Sequence, residues 1–295
     1  MPAAWALEPP PRRARAWRLR TRTLACGDVP LLMGIVNVTP DSFSDGGAFL
    51  DPRRAIEQAL ELASAGADII DVGGESTRPY AADVPVQQQL DRVLPVIEGL
   101  VRRIDAPLSI DTRRAEVARQ ALAAGAEAIN DVSGLEGDPA MLGVAVGVGA
   151  GVCVMHMQGT PATMQDDPRY DDVVADIGVY LRGRRDRLAA AGIAPERICL
   201  DPGIGFGKTH QHNFELMRSC WRFHEVGQPL LVGHSRKGFL AKILGNPAAD
   251  RTAATAGSAV ALAEQGVQVI RVHDVRPVRE TLAAWAACRA EVKRH

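Results

Sequence analysis

Residues 31–37 read LLMGIVN, residues 51–66 read DPRRAIEQALELASAG and residues 68–72 read DIIDV. The outer two stretches are short, apolar and rich in β-branched side chains, as buried strands are. The stretch between them carries the spacing of a helix. Asp51 can cap it, Pro52 takes the first helical position, and Ile56, Ala59, Leu60 and Ala63 form one apolar stripe. Gly66 can end it.

The same alternation runs outward to the end of the chain. Strand-like runs recur at 107–110 (PLSI), 127–130 (EAIN), 152–156 (VCVMH), 197–201 (RICLD), 230–234 (LLVGH) and 268–272 (QVIRV). Residues 86–103 read as a helix on Val86, Leu90, Val93, Leu94 and Ile97, with Pro95 expected to kink it. Residues 171–191, 252–265 and 277–292 also read as helices. Eight strands alternating with helices predict an α/β fold, a (β/α)8 TIM barrel. An open doubly wound sheet is the rival, and strand count alone does not remove it.

Ahead of the barrel, Trp17–Arg22 alternates apolar and polar residues and Gly27-Asp28 signals a turn, so a short N-terminal hairpin is expected. The expected organisation is a flexible tail over residues 1–15 and a single barrel domain over 16–295. The first 20 residues are Arg-rich with one acid, Glu8, but lack a clear amphipathic stretch, which favours an untethered tail over a targeting segment.

Composition narrows the class of function. The chain has 295 residues, 46% of them hydrophobic and 23% charged, which excludes a disordered or fibrous protein. With 34 basic and 35 acidic residues its net charge is −1, so nothing marks a nucleic-acid partner. No apolar run approaches the ~20 residues of a membrane span. Cys26, Cys153, Cys199, Cys220 and Cys288 are scattered and form no CxxC pair. That pattern argues against a disulfide framework or a zinc knuckle and predicts a reducing, cytoplasmic location.

The polar residues carry the functional argument. Nearly every apolar run leads into a polar group: Asn37, then Asp71 and Gly73-Gly74-Glu75-Ser76-Thr77-Arg78, Asp111, Asn130-Asp131, His156, Asp201, Ser235-Arg236-Lys237, and finally Arg271 and His273. In a barrel these ends meet on the face where catalytic groups gather. A single polar strand end is as readily the start of a loop. Several of these groups, however, stand at the last strand residue, where burial demands a partner.

Asn37 offers a hard oxygen that Mg²⁺ accepts when a substrate diphosphate and water complete the shell. Lys237, Arg236, Arg271 and His273 follow the last two runs, where barrels often bind phosphate. Arg271 and His273 are two residues apart on a strand and so share a side. Asp111, Asn130 and Asp201 end three different strands. A carboxylate there can take two parallel donors from a heterocycle bearing an amino group beside a ring N–H. The carboxylates can equally be structural, paired with Arg113 or Lys208. Gly203–Thr209 (GIGFGKT) lacks Walker spacing and is expected to form a tight turn with close backbone approach. His210 and His212 have no third ligand at zinc spacing.

Taken in order, these motifs resemble those of the dihydropteroate synthases of the pterin-binding barrel family. They are MGIVNVTPDSFSDGG from Met33, GGESTRP from Gly73, SIDTRR from Ser109, IND from Ile129 and MHMQGTPATMQ from Met155. LDPGIGFGKT from Leu200, GHSRKGFL from Gly233 and IRVHDV from Ile270 complete the set, which spans about residues 17–290.

The resemblance implies condensation of 7,8-dihydropterin-6-ylmethyl diphosphate with 4-aminobenzoate, giving 7,8-dihydropteroate and diphosphate for folate synthesis. It implies Mg²⁺ on Asn37, and the pterin held by Asp111, Asn130, Asp201 and Lys237, with Thr77 on the second loop. It implies the diphosphate on Arg271 and His273, and the aminobenzoate carboxylate at Ser235 and the backbone that follows. Val132, Met155 and Phe206 would flank the ring. A homodimer and sensitivity to sulfonamides are implied as well.

The expected chemistry is a dissociative, SN1-like substitution without a general base, since an aromatic amine is already neutral at pH 7. His156 is expected to be structural. One departure stands out: Tyr80 follows Pro79 where this family usually has Gly, which puts a bulky residue in a turn suited to positive φ. Gln88 and Gln89 fill a stretch that is commonly acidic. The competing readings are a methyltetrahydrofolate–corrinoid methyltransferase-like barrel, which has no need of a diphosphate site, and a non-catalytic pterin-binding paralogue.

Overall fold

The computed structural model describes residues 13–39, 51–78 and 80–289. Residues 40–47, where the motif from Met33 implies a polar loop, lie outside the described residues, as do residues 1–12.

Strands β1 (Ala16–Arg18) and β2 (Thr23–Ala25) form an antiparallel hairpin. Its turn is at 19–22, closed by Leu19 N–H to the Arg22 carbonyl at 2.8 Å, and not at Gly27-Asp28 as the sequence suggested. The barrel then begins with β3 (Leu31–Asn37), α1 (Pro52–Ser64), β4 (Ile69–Gly73), α2 (Val86–Leu100), β5 (Leu108–Asp111), α3 (Ala115–Ala124) and β6 (Ala128–Asp131). It continues with α4 (Met141–Val148), β7 (Gly151–Met155), α5 (Val173–Ala190), β8 (Ile198–Asp201), α6 (His210–Ser219) and β9 (Leu231–Val232). Two helices, α7 (Gly238–Leu244) and α8 (Thr252–Glu264), precede β10 (Val269–Val272), and α9 (Val275–Arg289) follows it.

The eight barrel strands pair in parallel in the order β8-β7-β6-β5-β4-β3-β10-β9. A bridge between Leu200 and Leu230 joins the two ends, with Leu200 N–H donating to the Pro229 carbonyl at 2.9 Å. That closure decides for the barrel over the open sheet.

The local signals act as their chemistry requires. Asp51 caps α1 by accepting from Arg53 N–H at 2.9 Å, and Pro52 opens the helix. Helix α2 runs unbroken through Pro95. Four helices, α3, α4, α6 and α7, did not stand out in the sequence. They are 10, 8, 10 and 7 residues long, too short for a periodic stripe to register.

Two apolar layers result. One lies between the strands and the helices, built from residues such as Leu32, Val36, Ile70, Val93, Ile97 and Leu262. The other fills the floor of the barrel, where Trp17 and Leu19 of the hairpin pack on Met33, Ile69, Ala128, Cys153, Cys199, Leu231 and Val269. The hairpin therefore plugs the N-terminal end. The polar strand ends are left at the opposite, open mouth. No helix among the described residues is long and apolar enough to cross a membrane.

Candidate active site

Strand register assembles the site. The pairing of β3 to β6 sets Asn37, Gly73, Asp111 and Asn130 side by side, and that of β7 with β8 sets Met155 beside Asp201. Register partners in a parallel sheet face the same way, so these side chains share the barrel interior. Gly73 keeps the row open. A Cβ there would lie 3.3 Å from the Asp111 Cβ and 3.7 Å from Asn37 Oδ1.

Arg271 reaches across this interior. Its Nε donates to Asp71 Oδ2 at 2.7 Å and its Nη2 to Asp111 Oδ2 at 2.7 Å. Asn130 Nδ2 donates to the same Asp71 oxygen at 2.9 Å. The partner of Asp111 is thus Arg271 and not Arg113, which instead grips Glu75 at 3.1 Å and also pairs with Asp83 on the second loop. Burial pushes the Asp111 carboxyl up to about 7, against the pull of Arg271 and with a further rise from Asp71. The sequence reading places Asp71 among the polar strand ends but assigns it no ligand or partner. An acid inside the apolar run DIIDV was the available signal, since a buried carboxylate needs donors.

Asp201 accepts from Gly203 N–H at 2.7 Å, which starts the glycine loop. Burial raises its pKa, while Lys237 pulls it back. The loop makes the expected close approach. Gly203 has φ 71°, and a Cβ there would sit 1.9 Å from the His156 carbonyl oxygen. Gly207 has φ 59°, and its Cβ would meet the Gln158 carbonyl at 2.7 Å.

Lys208, buried beneath the loop, lies within hydrogen-bond distance of His156 Nδ1 (3.1 Å) and donates to the Phe206 carbonyl (2.8 Å). Burial pushes the Lys208 pKa well down, against the pull of Asp201. Burial and Lys208 push His156 down to about 3, leaving it neutral, with its ring edge-on to Tyr180 at 4.8 Å. His212 serves the capping box of Thr209 at the start of α6.

The four basic residues after the last runs are not a free cluster. Arg236 is turned to Asp274 in a two-point ion pair at 2.9 and 2.6 Å. Arg271 is held by the two carboxylates. Lys237 is half-buried, with its ammonium 4.4 Å from the Phe206 ring centre and donating to the Ile204 carbonyl. His273 lies beside Ser235, its Nδ1 3.1 Å from the hydroxyl oxygen. Burial and then Arg271, Arg236, Lys237 and Arg78 push its pKa down to about 3. His273 is therefore a neutral donor or acceptor here.

The remaining expected residues surround this mouth. Met155 and Val132 are buried, Phe206 is half-buried, and Thr77 is half-exposed on the second loop. Tyr80 adopts φ 62°, the left-handed region that glycine favours. Its N–H donates to the Pro161 carbonyl at 3.1 Å and its hydroxyl to Asp166 at 3.1 Å. The bulky side chain thus ties the second loop to the loop after β7.

Comparison with known proteins agrees with this geometry. Residues 33–273 match the family model described as pterin binding enzyme. The chain is 46% identical over 253 residues to the dihydropteroate synthase of Escherichia coli K12, covering 86% of this chain and 89% of the relative. Among solved structures, Yersinia pestis dihydropteroate synthase in a sulfonamide complex superposes with a TM-score of 0.87 at 45% identity, covering 93% of this chain and 99% of that one. The Xanthomonas albilineans enzyme with 4-aminobenzoic acid superposes with a TM-score of 0.87 at 43% identity, covering 94% and 99%. With the barrel, its carboxylate–arginine cluster and this similarity along nearly its whole length, the chain belongs to the pterin-binding enzymes, among the dihydropteroate synthases.

Proposed function

We propose that this chain condenses a 7,8-dihydropterin-6-ylmethyl diphosphate with 4-aminobenzoate to give 7,8-dihydropteroate and diphosphate, in the cytoplasm and as a homodimer. The observation that carries the reading is the set of buried acids at the barrel mouth, Asp111 and Asp201, flanked by Asn130 and Lys237. An apolar molecule has no use for such a set. A pterin, whose amino-pyrimidinone edge offers parallel N–H donors and carbonyl acceptors, matches it. Related Xanthomonas albilineans structures hold 4-aminobenzoic acid and 7,8-dihydropteroate, which supports the substrate pair.

In this reading Asp201 accepts N–H groups of the ring and Lys237 donates to a ring acceptor. Arg271 and His273 receive the departing diphosphate, and Ser235 the aminobenzoate carboxylate. The amine attacks through its own lone pair, so no base is needed. Neutral His156, held by Lys208, agrees with that. The difficult event is loss of diphosphate from the pterin methylene carbon, and the electron-rich ring shares the charge left behind. Fixed donors aimed at a developing anion are often the largest catalytic contribution.

Mg²⁺ fits the donor set as a partly filled shell. Asn37 would supply one hard oxygen, its Oδ1 lying 3.7 Å from where a Gly73 Cβ would stand. Substrate oxygens and water would complete the shell. Bound there, the ion neutralises diphosphate charge.

The test is an assay of diphosphate release and dihydropteroate formation, with each substrate and Mg²⁺ omitted in turn. Dihydropteroate should form only with both substrates present. Absence of product from the folded chain with everything added overturns the reading. Light scattering checks the dimer.

A further inference from the structure

We infer that Asp71 is a positioning residue for the pterin diphosphate site, fixing the hydrogen-bond polarity of Asn130 toward the ring and the aim of Arg271 toward the diphosphate. The inference rests on the pterin reading above. Asp71 is fully buried on β4, inside the barrel. A single oxygen, Oδ2, takes both Arg271 Nε at 2.7 Å and Asn130 Nδ2 at 2.9 Å.

Two consequences follow from the chemistry of these groups. A carboxylate only accepts, so Asn130 must turn its NH2 toward Asp71 and its carbonyl oxygen away. Without Asp71 the two ends of that amide are nearly equivalent in shape, and the donor–acceptor pattern offered to a ligand is no longer set. Arg271, for its part, is held at two points of its planar fork, Nε on Asp71 and Nη2 on Asp111. Two anchors fix the plane of a guanidinium, whereas Asp111 alone leaves it free to rotate about one contact. Asp71 therefore determines how two ligand-facing side chains stand without touching the ligand itself.

The geometry also says which substitution should be harmless. Asp71 Oδ1 and Ser109 Oγ have no hydrogen-bond partner among the described residues, and residues 71 and 109 are register partners on β4 and β5. An asparagine at 71 keeps an acceptor oxygen in place for Arg271 and Asn130 and puts its NH2 where the unpartnered Oδ1 now stands. Asp71→Ala removes the acceptor. Asp71→Glu keeps the charge but displaces the oxygen by one methylene.

Calorimetry with a phosphate-free probe, 6-hydroxymethyl-7,8-dihydropterin, tests this on the full chain, with folding checked by circular dichroism. Wild type should bind, and Asp71→Asn should bind within about threefold of it. Asp71→Ala and Asp71→Glu should both weaken by roughly tenfold or more. The KM for the pterin diphosphate should follow the same order, with the KM for 4-aminobenzoate little changed. If Asp71→Ala does not fold, the comparison of Asp71→Asn with Asp71→Glu decides. Retention by Glu with loss by Asn would mean that charge and not position matters, and equal binding by all folded variants would remove any role; either result overturns the inference. A wild-type chain that binds no pterin overturns the underlying reading first.

Discussion

The ammonium of Lys237 stands 4.4 Å from the centre of the Phe206 ring, donating at the same time to the carbonyl of Ile204. A cation over an aromatic face gains from the ring quadrupole, and the flat ring beneath it is a surface on which a planar heterocycle can stack. Burial lowers the pKa of Lys237 to about 8, with Asp201 acting to raise it and Arg271 to lower it further. The neutral form is favoured relative to water, so this group's contribution to stability is present above its unfolded pKa and is lost as pH falls through about 8. Binding runs the other way, because donation to a substrate acceptor is strongest from the charged form. A pH profile of kcat/KM for the pterin diphosphate should fall as pH rises through about 8. Lys237→Arg should abolish that limb. Asp201→Asn, which removes the charge that supports the ammonium, should move it to lower pH. A limb unchanged in Lys237→Arg assigns it to another group.

His273 should take up a proton when diphosphate arrives. Its pKa is held at about 3 by burial and four neighbouring cations, so it is neutral in the unliganded chain. A depressed imidazole stabilises the fold above its unfolded pKa of 6.5, and that contribution is lost as pH falls toward 3. An added dianion cancels the cations' repulsion and raises the pKa. Calorimetry at about pH 5–6 in buffers of different ionisation enthalpy should show proton uptake. The uptake should vanish in His273→Gln. Binding without any uptake in wild type would mean that the imidazole stays neutral throughout.

His156 separates a base-catalysed mechanism from a dissociative one. Its Nδ1 is taken by Lys208 and its pKa is about 3, so it is a poor proton acceptor at neutral pH. His156→Gln leaves an amide oxygen to accept from Lys208 and should keep most of kcat. A loss beyond ~10²-fold, within the range of a general base, would sink the mechanism without one.

The hairpin plug should matter for stability and not for chemistry. Trp17 is fully buried on the barrel floor, and its Nε1 donates to the Arg197 carbonyl at 2.9 Å. Trp17→Ala should cost about 3–5 kcal/mol, a large part of the ~5–15 kcal/mol of a typical domain. Urea unfolding measures the loss. The KM values of whatever folded enzyme remains should stay near those of wild type.

The alternation of strands and helices is legible in the sequence and narrows the fold to a barrel or an open sheet; the bridge between Leu200 and Leu230 closes the barrel. Buried strands must be apolar runs, and the helix from Pro52 to Ser64 announces itself through Asp51, Pro52 and one apolar stripe. The sequence by itself also determined that, given a barrel, Asn37, Asp111, Asn130, Asp201, Lys237, Arg271 and His273 belong to one mouth, because parallel strands in a barrel all end there. Residues 203–207 declared a tight backbone approach through their glycines, since nothing with a Cβ fits against the His156 carbonyl.

Tertiary structure alone decided who pairs with whom. Asp111 lies 160 residues from Arg271 and Asp71 lies 200 from it, and only barrel closure brings the three together. Sequence spacing had set Arg271 beside His273, and the structure turns its guanidinium to the carboxylates. The charge of His273 was equally out of reach of a one-dimensional reading, because burial and neighbours from several elements set a pKa. Tyr80 is the converse case. The sequence marked it as wrong for a left-handed turn, and contacts with Pro161 and Asp166, more than 80 residues away, hold it there nonetheless. Local patterns record what a residue needs, whereas packing supplies the partner that meets the need.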